Sequence, residues 1–419
     1  MAEPLVLRAR IVLPVCRPPV EDGAVVVSGE RIAAVGRWRN LRKQFGGHVT
    51  DLGDSVLLPG LVNAHCHLDY TDMAGLFPPP KSFADWIKLI TTEKAQWSYT
   101  DFAQSWIVGA RMLLRTGTTT VADVETVPEL LPEVWDATPL RVFSFLEMTG
   151  VRSRRDPDAI LDEAVEKIKS LPPGRCAAGL SPHAPYSTTP QLMQRAAAIA
   201  RKRKLRVVTH VAESAAEFEM FKRARGEMFA WLRRNQRDMS DCGGVSPVQH
   251  LARHHALGPH LLAVHVNYLA PGDARLLAQR KVNVVHCPRS HAYFRHRDFL
   301  RQTLAGAGVN VCLGTDSLAT VVMKKRQPVE LNMFAEMRAY AATHGGVPPE
   351  LILCMATVNG AQALGWQGKV GELSRGAFAD LIVLPFAGKT TEIYEAALNH
   401  SGNVAASMIG GRWEIARTE

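Results

Sequence analysis

Two histidines stand one residue apart in the segment NAHCHLD, directly after the apolar run SVLLPGLV. On a strand, His65 and His67 would point to the same face, about 6.6 Å apart, whereas Cys66 would point to the other face. Two imidazoles at this separation can converge on one metal ion, with metal–nitrogen distances of about 2.0–2.1 Å. The alternative is a pair of core histidines with ordinary hydrogen-bond partners. Because two unbound histidines are costly to bury side by side, the spacing predicts a metal site.

Ionisable residues recur at the same end of one apolar run after another. They are His183 in CAAGLSPHA, His210 and Glu213 in LRVVTHVAE, His265 in LLAVHVN, His286 in VNVVHCP and Asp316 in VNVCLGTDS. In a barrel of parallel strands, catalytic groups lie at the C-terminal ends of the strands. The pattern therefore predicts one site built from the ends of several strands.

The elements that must carry these residues alternate along the middle of the chain. Eight strand-like apolar runs are separated by amphipathic stretches such as DAILDEAVEKIKSL. This alternation predicts an α/β fold, a (β/α)₈ TIM barrel over residues 59–367. An open doubly wound sheet is the alternative, but no G-x-G-x-x-G follows a strand. The two ends instead carry short β-branched runs divided by Gly and Asp turns. They predict a small composite β-sandwich formed by residues 1–58 and 368–419.

Composition narrows the class of protein. The 419 residues are 47% hydrophobic and 21% charged, as in a globular soluble protein, and no apolar run approaches the length of a membrane span. The first residues lack the pattern of a signal peptide. The seven cysteines are scattered and form no C-x-x-C pair, which favours reduced thiols in the cytoplasm over a disulfide framework or a cysteine zinc knuckle.

The formal net charge of +9 raises the question of nucleic acid. Basic residues cluster at 201–204 and 323–327, each beside an apolar strand or helix, where they are most simply solvated helix ends. No aromatic-interleaved RNA-binding motif accompanies them. We therefore expect a small-molecule substrate, with no nucleic-acid partner and no membrane, and the charge could equally steer an anionic metabolite.

Six motifs, in order along the chain, resemble those of the amidohydrolase superfamily. They are LLPGLVNAHCHLD, GLSPHAPYST, VVTHVAES, LLAVHVNYL, VVHCPRSH and VCLGTDSLAT. The most similar branch contains the cytosine deaminases, chlorohydrolases and adenosine-derivative deaminases. Within it, HCHLDYT resembles the His-x-His-Leu-Glu pattern of deaminases acting on aminodeoxyfutalosine and other 5′-modified adenosines, with Asp69 in place of Glu. The resemblance covers nearly the whole chain.

The resemblance implies a role for each of these residues. His65, His67, His210 and Asp316 would be the metal ligands, and Asp316 would also accept a proton from the attacking water. Glu213 resembles the family's proton shuttle, and His265 the histidine that orients and polarises water and substrate. His183 resembles a substrate-contacting histidine. Trp86, in SFADWI, matches an aromatic residue near the substrate mouth, although it could simply belong to the core.

The number of metal ions also follows from the resemblance. Binuclear relatives bridge two ions with a carbamylated lysine at the end of strand four, where this chain has LSPHAPY and no lysine. We therefore expect one divalent ion. Three imidazoles and a carboxylate favour Zn²⁺, and Fe²⁺ stays open.

The implied activity is a metal-dependent hydrolytic deamination of an amino-purine nucleoside derivative or a related amino-heterocycle. Aminodeoxyfutalosine, methylthioadenosine and S-adenosylhomocysteine are examples. Hydrolysis of another C–N or C–Cl bond, of the imidazolonepropionase or triazine hydrolase type, is the alternative, and a non-catalytic relative is a third. For the variable part of the substrate, Glu93 is a candidate for ribose hydroxyls and Arg152 for an anionic group. His291 replaces the family's usual asparagine. Relatives are commonly dimers or larger, which leaves a homo-oligomer open.

Overall fold

The structure is a computed structural model that describes residues 3–45, 47–150, 155–323 and 329–416. Its strands are β1 (Leu5–Val12), β2 (Val20–Ser28), β3 (Arg31–Arg37), β4 (Val49–Asp51), β5 (Ser55–Pro59), β6 (Leu61–Cys66), β7 (Thr118–Glu125), β8 (Arg141–Met148), β9 (Ala177–Pro182), β10 (Val207–Val211), β11 (Leu261–His265), β12 (Asn283–His286), β13 (Asn310–Leu313), β14 (Leu381–Pro385), β15 (Ala406–Ile409) and β16 (Arg412–Ile415).

The helices mostly follow the strands of the middle segment. They are α1 (Trp38–Leu41), α2 (Phe83–Lys94), α3 (Tyr99–Arg115), α4 (Leu131–Asp136), α5 (Pro157–Ser170), α6 (Pro190–Arg203), α7 (Ala215–Arg223), α8 (Glu227–Arg234), α9 (Pro247–Arg253), α10 (Asp273–Gln279), α11 (Pro288–Tyr293), α12 (Arg301–Gly306), α13 (Met333–Thr343), α14 (Pro349–Met355), α15 (Val358–Leu364) and α16 (Ile393–Leu398). Short 3₁₀ turns span Leu68–Met73, Pro128–Leu130, Leu318–Thr320 and Thr390–Glu392. In the described part of the chain, none of the helices has the length and apolar character needed to cross a bilayer.

The eight strands β6 to β13 pair in chain order, and each neighbouring pair is parallel. The first and last strands meet where a parallel bridge joins Cys66 to Asp316. Helices alternate with these strands, so the predicted α/β barrel is confirmed. Two apolar clusters flank the strands: an inner one that includes Val62, Phe145 and residues of α15, and an outer one shared with helices such as α3.

Side-chain caps define where two helices of the outer layer, α3 and α6, begin. The Ser98 side chain accepts from the backbone N–H of Asp101, and the Asp101 carboxylate accepts from the backbone N–H of Ser98, which forms a capping box at α3. Thr189 caps α6 in the same position through the N–H of Leu192. Helix α3 then buries an apolar stripe against the strands, with Trp106 fully buried.

Both ends of the chain contribute to a second sheet, with the strand order β16-β15-β14-β5-β1-β2-β3 and β4 beside β1. The two ends meet where β5 runs antiparallel to β14, with Leu57 opposite Val383. This confirms that matching β segments at the two termini come together. The division into residues 1–58 plus 368–419 and residues 59–367 stays a prediction.

A buried ion pair joins the terminal sheet to the barrel. Arg141, at the start of β8, donates to the two carboxylate oxygens of Asp380 at 2.6 and 3.1 Å. Asp380 also accepts from the backbone N–H of Gly410 at 2.8 Å. The guanidinium carbon of Arg141 lies 3.6 Å from the ring centroid of Phe378. The Arg141 and Asp380 side chains are 5% and 1% exposed, so this contact lies in the interior between the two sheets.

Candidate metal centre and active site

The end of β6 departs from a regular strand where the two histidines stand. The pairing between β6 and β7 shifts register between Asn63 and Cys66. As a result, Ala64 packs in the inner cluster and Cys66 in the outer one, although they are two residues apart. Beyond this irregularity, the rings of His65 and His67 both approach the ring of His210, at centroid distances of 4.9 and 5.4 Å.

The four predicted metal ligands converge at the C-terminal ends of the strands. The Asp316 Oδ1 atom lies 3.8 Å from His65 Nε2 and 3.8 Å from His67 Nε2. The Nε2 atoms of His67 and His210 are 3.3 Å apart. All four side chains are buried. The structure thus brings together residues from the first, fifth and eighth barrel strands.

The polar atoms of this cluster fit a divalent metal ion. Both ring nitrogens of His65 and the Nδ1 atom of His67 are buried without a hydrogen-bond partner among the described residues. Such atoms are costly to bury, and a cation among them would restore their lost interactions. Ligand atoms of His65, His67 and Asp316 lie within 4.8 Å of one another. Imidazole nitrogens with one carboxylate oxygen are a donor set suited to Zn²⁺ or Fe²⁺.

The protonation of the histidines suits them as ligands. Burial, reinforced by His183, lowers the pKa of His210 to about 3. Burial, reinforced by the neighbouring His210, lowers the pKa values of His65 and His67 well below 6.5. The Nδ1 atom of His210 lies 2.9 Å from the backbone carbonyl oxygen of His183, which fixes a proton on Nδ1 and leaves the Nε2 lone pair facing the cluster. Neutral imidazoles are the form that binds metal.

Glu213 and His265 stand beside the ligands. The Glu213 Oε1 atom lies 3.5 Å from His265 Nε2, and ligand atoms of Glu213, His265 and Asp316 lie within 4.8 Å of one another. Burial, reinforced by the charge of Asp316, raises the pKa of Glu213 well above 4.5. Burial also raises the pKa of Asp316 to about 6. A carboxyl group with a raised pKa beside a histidine is equipped to give and take a proton near neutral pH.

The backbone around these side chains adopts conformations that non-glycine residues rarely take. Ala212, His265, Val266 and Asp316 have φ values of 52°, 74°, 49° and 55°. Left-handed residues of this kind cost free energy and persist only where the surrounding structure holds them. Their concentration at three strand ends marks this edge of the barrel as the functional one.

A cavity of about 260 Å³ opens onto the cluster. Trp86, Ile87 and Ile90 of α2 and Trp231 and Leu232 of α8 form an apolar wall. The polar floor includes His67, His183, His210, Glu213, His265 and Asp316. Both residues proposed from the sequence as substrate contacts, Trp86 and His183, thus line the cavity. This combination of an apolar wall and a few convergent polar groups is typical of a small-molecule site.

Comparison with known proteins identifies the family. The model of the amidohydrolase family matches residues 56–413. The chain belongs to the amidohydrolase family. A model of the imidazolonepropionase-like composite domain of bacteria matches residues 23–53, within the terminal sheet.

Individual relatives are similar over most of their length. A protein of Syntrophobacter fumaroxidans named 5-methylthioadenosine/S-adenosylhomocysteine deaminase is 32% identical over 392 residues, which cover 87% of this chain and 80% of that one. The solved structure of an adenosine deaminase from Xanthomonas campestris with bound zinc has a TM-score of 0.85 at 24% identity, covering 99% of this chain and 93% of that chain. Helicobacter pylori aminofutalosine deaminase in complex with methylthio-coformycin has a TM-score of 0.85 at 23% identity, covering 98% of this chain and 100% of that chain. The two structural likenesses concern the fold.

The amidohydrolase cavity holds two charged residues that the sequence analysis missed, Glu147 and Lys94. Glu147 stands near the end of β8, and its Oε2 atom lies 3.9 Å from His183 Nε2. His183 is held from its other side, where Nδ1 lies 2.6 Å from Ser187 Oγ. The signal for Glu147 was available, since a carboxylate in the run LRVFSFLEM stands at the end of a barrel strand like the other site residues.

Lys94 reaches the cavity from the last turn of α2. Its ammonium group donates to the Tyr70 hydroxyl and lies 4.8 Å from the centroid of that ring. The Tyr70 ring in turn stacks on His67 with a centroid distance of 5.1 Å. The neighbouring Glu93, considered from the sequence for ribose hydroxyls, instead accepts from Trp97 Nε1 at 3.1 Å. Of these two neighbours, Lys94 lines the cavity and Glu93 does not.

Three other residues singled out in the sequence have different surroundings. His286 stacks on Phe299 with a centroid distance of 3.9 Å, away from the cavity. His291 lies 3.0 Å, through Nδ1, from the amide oxygen of Asn267. Arg152 lies outside the described residues.

Proposed function

We propose that this amidohydrolase is a metal-dependent aminohydrolase that releases ammonia from an adenosine derivative modified at its 5′ position or from a related amino-purine. The observation that carries the proposal is the convergence of His65, His67, His210 and Asp316 at one end of the barrel, where all of them except the fully buried His65 line the cavity together with Glu213. The substrate class is supported by the relative named for 5-methylthioadenosine and S-adenosylhomocysteine, which is 32% identical. The apolar wall of Trp86, Ile87 and Ile90 suits a purine or an alkylthio group.

His65, His67, His210 and Asp316 would hold one divalent ion, with Zn²⁺ favoured and Fe²⁺ the second choice. When bound, such an ion would lower the pKa of a water molecule far enough for attack near neutral pH and would polarise the group under attack. The LSPHAPY segment offers His183 and no lysine at the end of β9, which supports a single ion rather than a bridged pair.

The chain's own residues would then move the protons. Asp316 accepts a proton from the attacking water, and the water oxygen bonds to the ring carbon that carries the amino group. Glu213 delivers a proton to the adjacent ring nitrogen. The proton held by Asp316 then passes to the amine, the carbon–nitrogen bond breaks and ammonia leaves. The proton of the new hydroxyl group returns to Glu213, so that a carbonyl oxygen stays on the ring. His265, 3.5 Å from Glu213, orients the water and the polarised ring. His183 and Trp86 contact the substrate.

A substrate panel tests the proposal. The purified protein, loaded separately with Zn²⁺ and Fe²⁺, is assayed for ammonia release from 5′-methylthioadenosine, S-adenosylhomocysteine, 5′-deoxyadenosine, aminodeoxyfutalosine, adenosine, cytosine and guanine. We expect the 5′-modified adenosines to give the highest kcat/KM. A chlorotriazine, followed by chloride release, and imidazolonepropionate, followed by loss of the substrate, are assayed beside the panel. Turnover confined to these two compounds would replace the proposal with the alternative hydrolase, and a protein inert on every compound would favour a non-catalytic relative. The expected cytoplasmic location and the absence of a nucleic-acid partner stay predictions.

A further inference from the structure

The backbone at Glu213 is hydrogen-bonded to a second buried carboxylate, that of Glu217. Glu217 Oε1 accepts from the backbone N–H of Ala212 at 2.9 Å, and Oε2 accepts from the backbone N–H of Glu213 at 2.9 Å. The Glu217 side chain is fully buried. One carboxylate thus satisfies two consecutive N–H groups, of which the first belongs to a residue in the left-handed region, with a φ of 52°.

The carbonyl side of the same segment is held from the neighbouring strand end. Asn267 Nδ2 donates to the backbone carbonyl of Glu213 at 3.0 Å, and the backbone N–H of Asn267 donates to the carbonyl of Ala212 at 3.0 Å. The Asn267 amide oxygen faces His291 Nδ1 at 3.0 Å. Asn267 is 3% exposed, so these bonds are made out of contact with bulk water.

The hydrogen bonds made by Glu217 and by Asn267 link the segment of Glu213 to the segment of His265. Asn267 follows His265 by two residues, and both His265 and Val266 have positive φ values. The N–H of Val266 donates to the carbonyl of Val211 at 3.0 Å. These bonds extend the pairing of β10 and β11 beyond their ends, to the segments that carry Glu213 and His265, whose Oε1 and Nε2 atoms are 3.5 Å apart.

We propose that Glu217 is a positioning residue for the reaction: its carboxylate, opposed by Asn267 and His291, holds Glu213 in register with His265. The inference rests on the proposed function, because it assigns to Glu213 the proton transfer to the substrate. Only a carboxylate at position 217 can accept both of these hydrogen bonds. Two N–H donors need two acceptor oxygens, whereas a glutamine would offer one oxygen and turn an NH₂ group toward the other N–H.

Glu217→Gln is therefore a test that preserves size while removing one acceptor. A misplacement of about 1 Å at a catalytic group can cost about 10²-fold in rate. We expect kcat to fall by about that factor while KM stays near its wild-type value, since Glu217 is not among the described residues that line the cavity. In a Glu213→Gln background the same substitution should have almost no further effect, because a residue that acts through Glu213 loses its influence with it.

Asp273→Asn is the matched control. Asp273 is also a fully buried carboxylate, which accepts from Ser246 Oγ at 2.9 Å, Gln249 Nε2 at 2.9 Å and the Ala270 N–H at 2.7 Å. It does not line the cavity. We expect this variant to lose stability in the same way as Glu217→Gln and to keep its kcat. Equal losses of kcat in the two variants would reduce the role of Glu217 to general stability and overturn the inference, and so would additive effects in the double mutant.

A readout independent of turnover completes the test. Amide hydrogen exchange of residues 211–214 should accelerate in Glu217→Gln at unchanged metal content. In Asp273→Asn, the same residues 211–214 should keep the protection that they have in the wild-type protein. Unchanged exchange and unchanged kcat would sink the inference. If the wild-type protein deaminates nothing in the panel, the proposed function fails, and the exchange experiment alone decides whether Glu217 holds the Glu213 segment.

Discussion

The backbone carbonyl of His65 accepts from the N–H of Asp316 at 3.1 Å, and the side chains of the same two residues approach to 3.8 Å. The N–H of Thr315 donates to the same carbonyl at 3.0 Å, and the N–H of His67 donates to the Asp316 carbonyl at 3.4 Å. These bonds join the first barrel strand to the segment after the last one. The closure of the barrel and the candidate metal centre are therefore made by the same residues.

This coupling predicts that the metal ion stabilises the fold. A ligand that binds only the native state adds about 2.7 kcal/mol to the free energy of unfolding when its free concentration is 100 times Kd. We expect a chelator to lower the thermal midpoint of the wild-type protein, and added Zn²⁺ or Fe²⁺ to restore it. His67→Ala should lose the metal and turnover, and its midpoint should no longer respond to the chelator. Elemental analysis of freshly purified, unchelated protein that finds no transition metal would contradict this prediction.

Glu213→Gln separates the proton shuttle from the metal centre. The substitution keeps the side-chain size but removes the proton that the carboxyl group would deliver. General acid–base catalysis typically contributes about 10²–10⁴-fold, so we expect kcat to fall within that range. Metal content should stay at the wild-type level, because Glu213 is not one of the four expected ligands. Undiminished ammonia release by the variant would remove Glu213 from the mechanism.

The sequence could predict the barrel and much of the site because catalytic residues are tied to strand ends. His210, His265 and Asp316 follow apolar runs that can be recognised in the sequence without knowing where the intervening helices begin and end. The same rule applied to His286 indicates a site residue, yet that ring stacks on Phe299. A strand end gives the position of a residue but not the direction of its side chain.

The rest of the cavity depends on side-chain orientations that the hydrophobic periodicity of the sequence does not predict. Glu93 and Lys94 are adjacent, and only the rotation of the last turn of α2 decides that Lys94 faces the cavity. Likewise, the register shift near Asn63 sets the orientation of the expected ligands His65 and His67, and no local sequence pattern predicts this shift. The grip of Glu217 on the Glu213 segment arises from a left-handed turn at Ala212, a residue with no preference for that conformation.

The ion pair between Arg141 and Asp380 should hold the terminal sheet to the barrel. Removing one partner of a buried pair leaves the other charge unpaired, at a cost of about 3–5 kcal/mol. We expect Arg141→Met to lower the free energy of unfolding by that amount, measured by denaturant titration.

The exposed pair Arg10–Asp54 offers a matched control, since its side chains are 45% and 69% exposed. Arg10→Met should cost less than about 1 kcal/mol, because solvent screens such a pair. Similar losses in the two variants would show that burial does not set the strength of the Arg141–Asp380 contact.

A second buried network makes stability depend on pH. Asp241 accepts from Arg237 through both carboxylate oxygens, at 2.6 and 2.8 Å, and lies 3.0 Å from His250 Nε2. Burial alone would raise the pKa of Asp241, but the hydrogen bonds from His250 and Arg237 outweigh it and hold this pKa well below 3.8. A carboxylate with a depressed pKa in the folded state stabilises that state at any pH above its ordinary pKa.

We therefore expect Asp241→Asn to lower the free energy of unfolding at neutral pH by about 3–5 kcal/mol, because Arg237 is left buried and unpaired. The gap between wild type and variant should stay constant down to the ordinary pKa of 3.8 and then narrow toward the lower folded pKa, because in this range the unfolded wild-type chain takes up a proton at Asp241 that the folded chain does not. Urea titrations across this pH range measure the gap. Asp238 is exposed, so Asp238→Asn serves as the control, which should change the free energy of unfolding little at any of these pH values. A gap that widens as the pH falls would have the wrong sign and would exclude Asp241 as the ionised partner of Arg237.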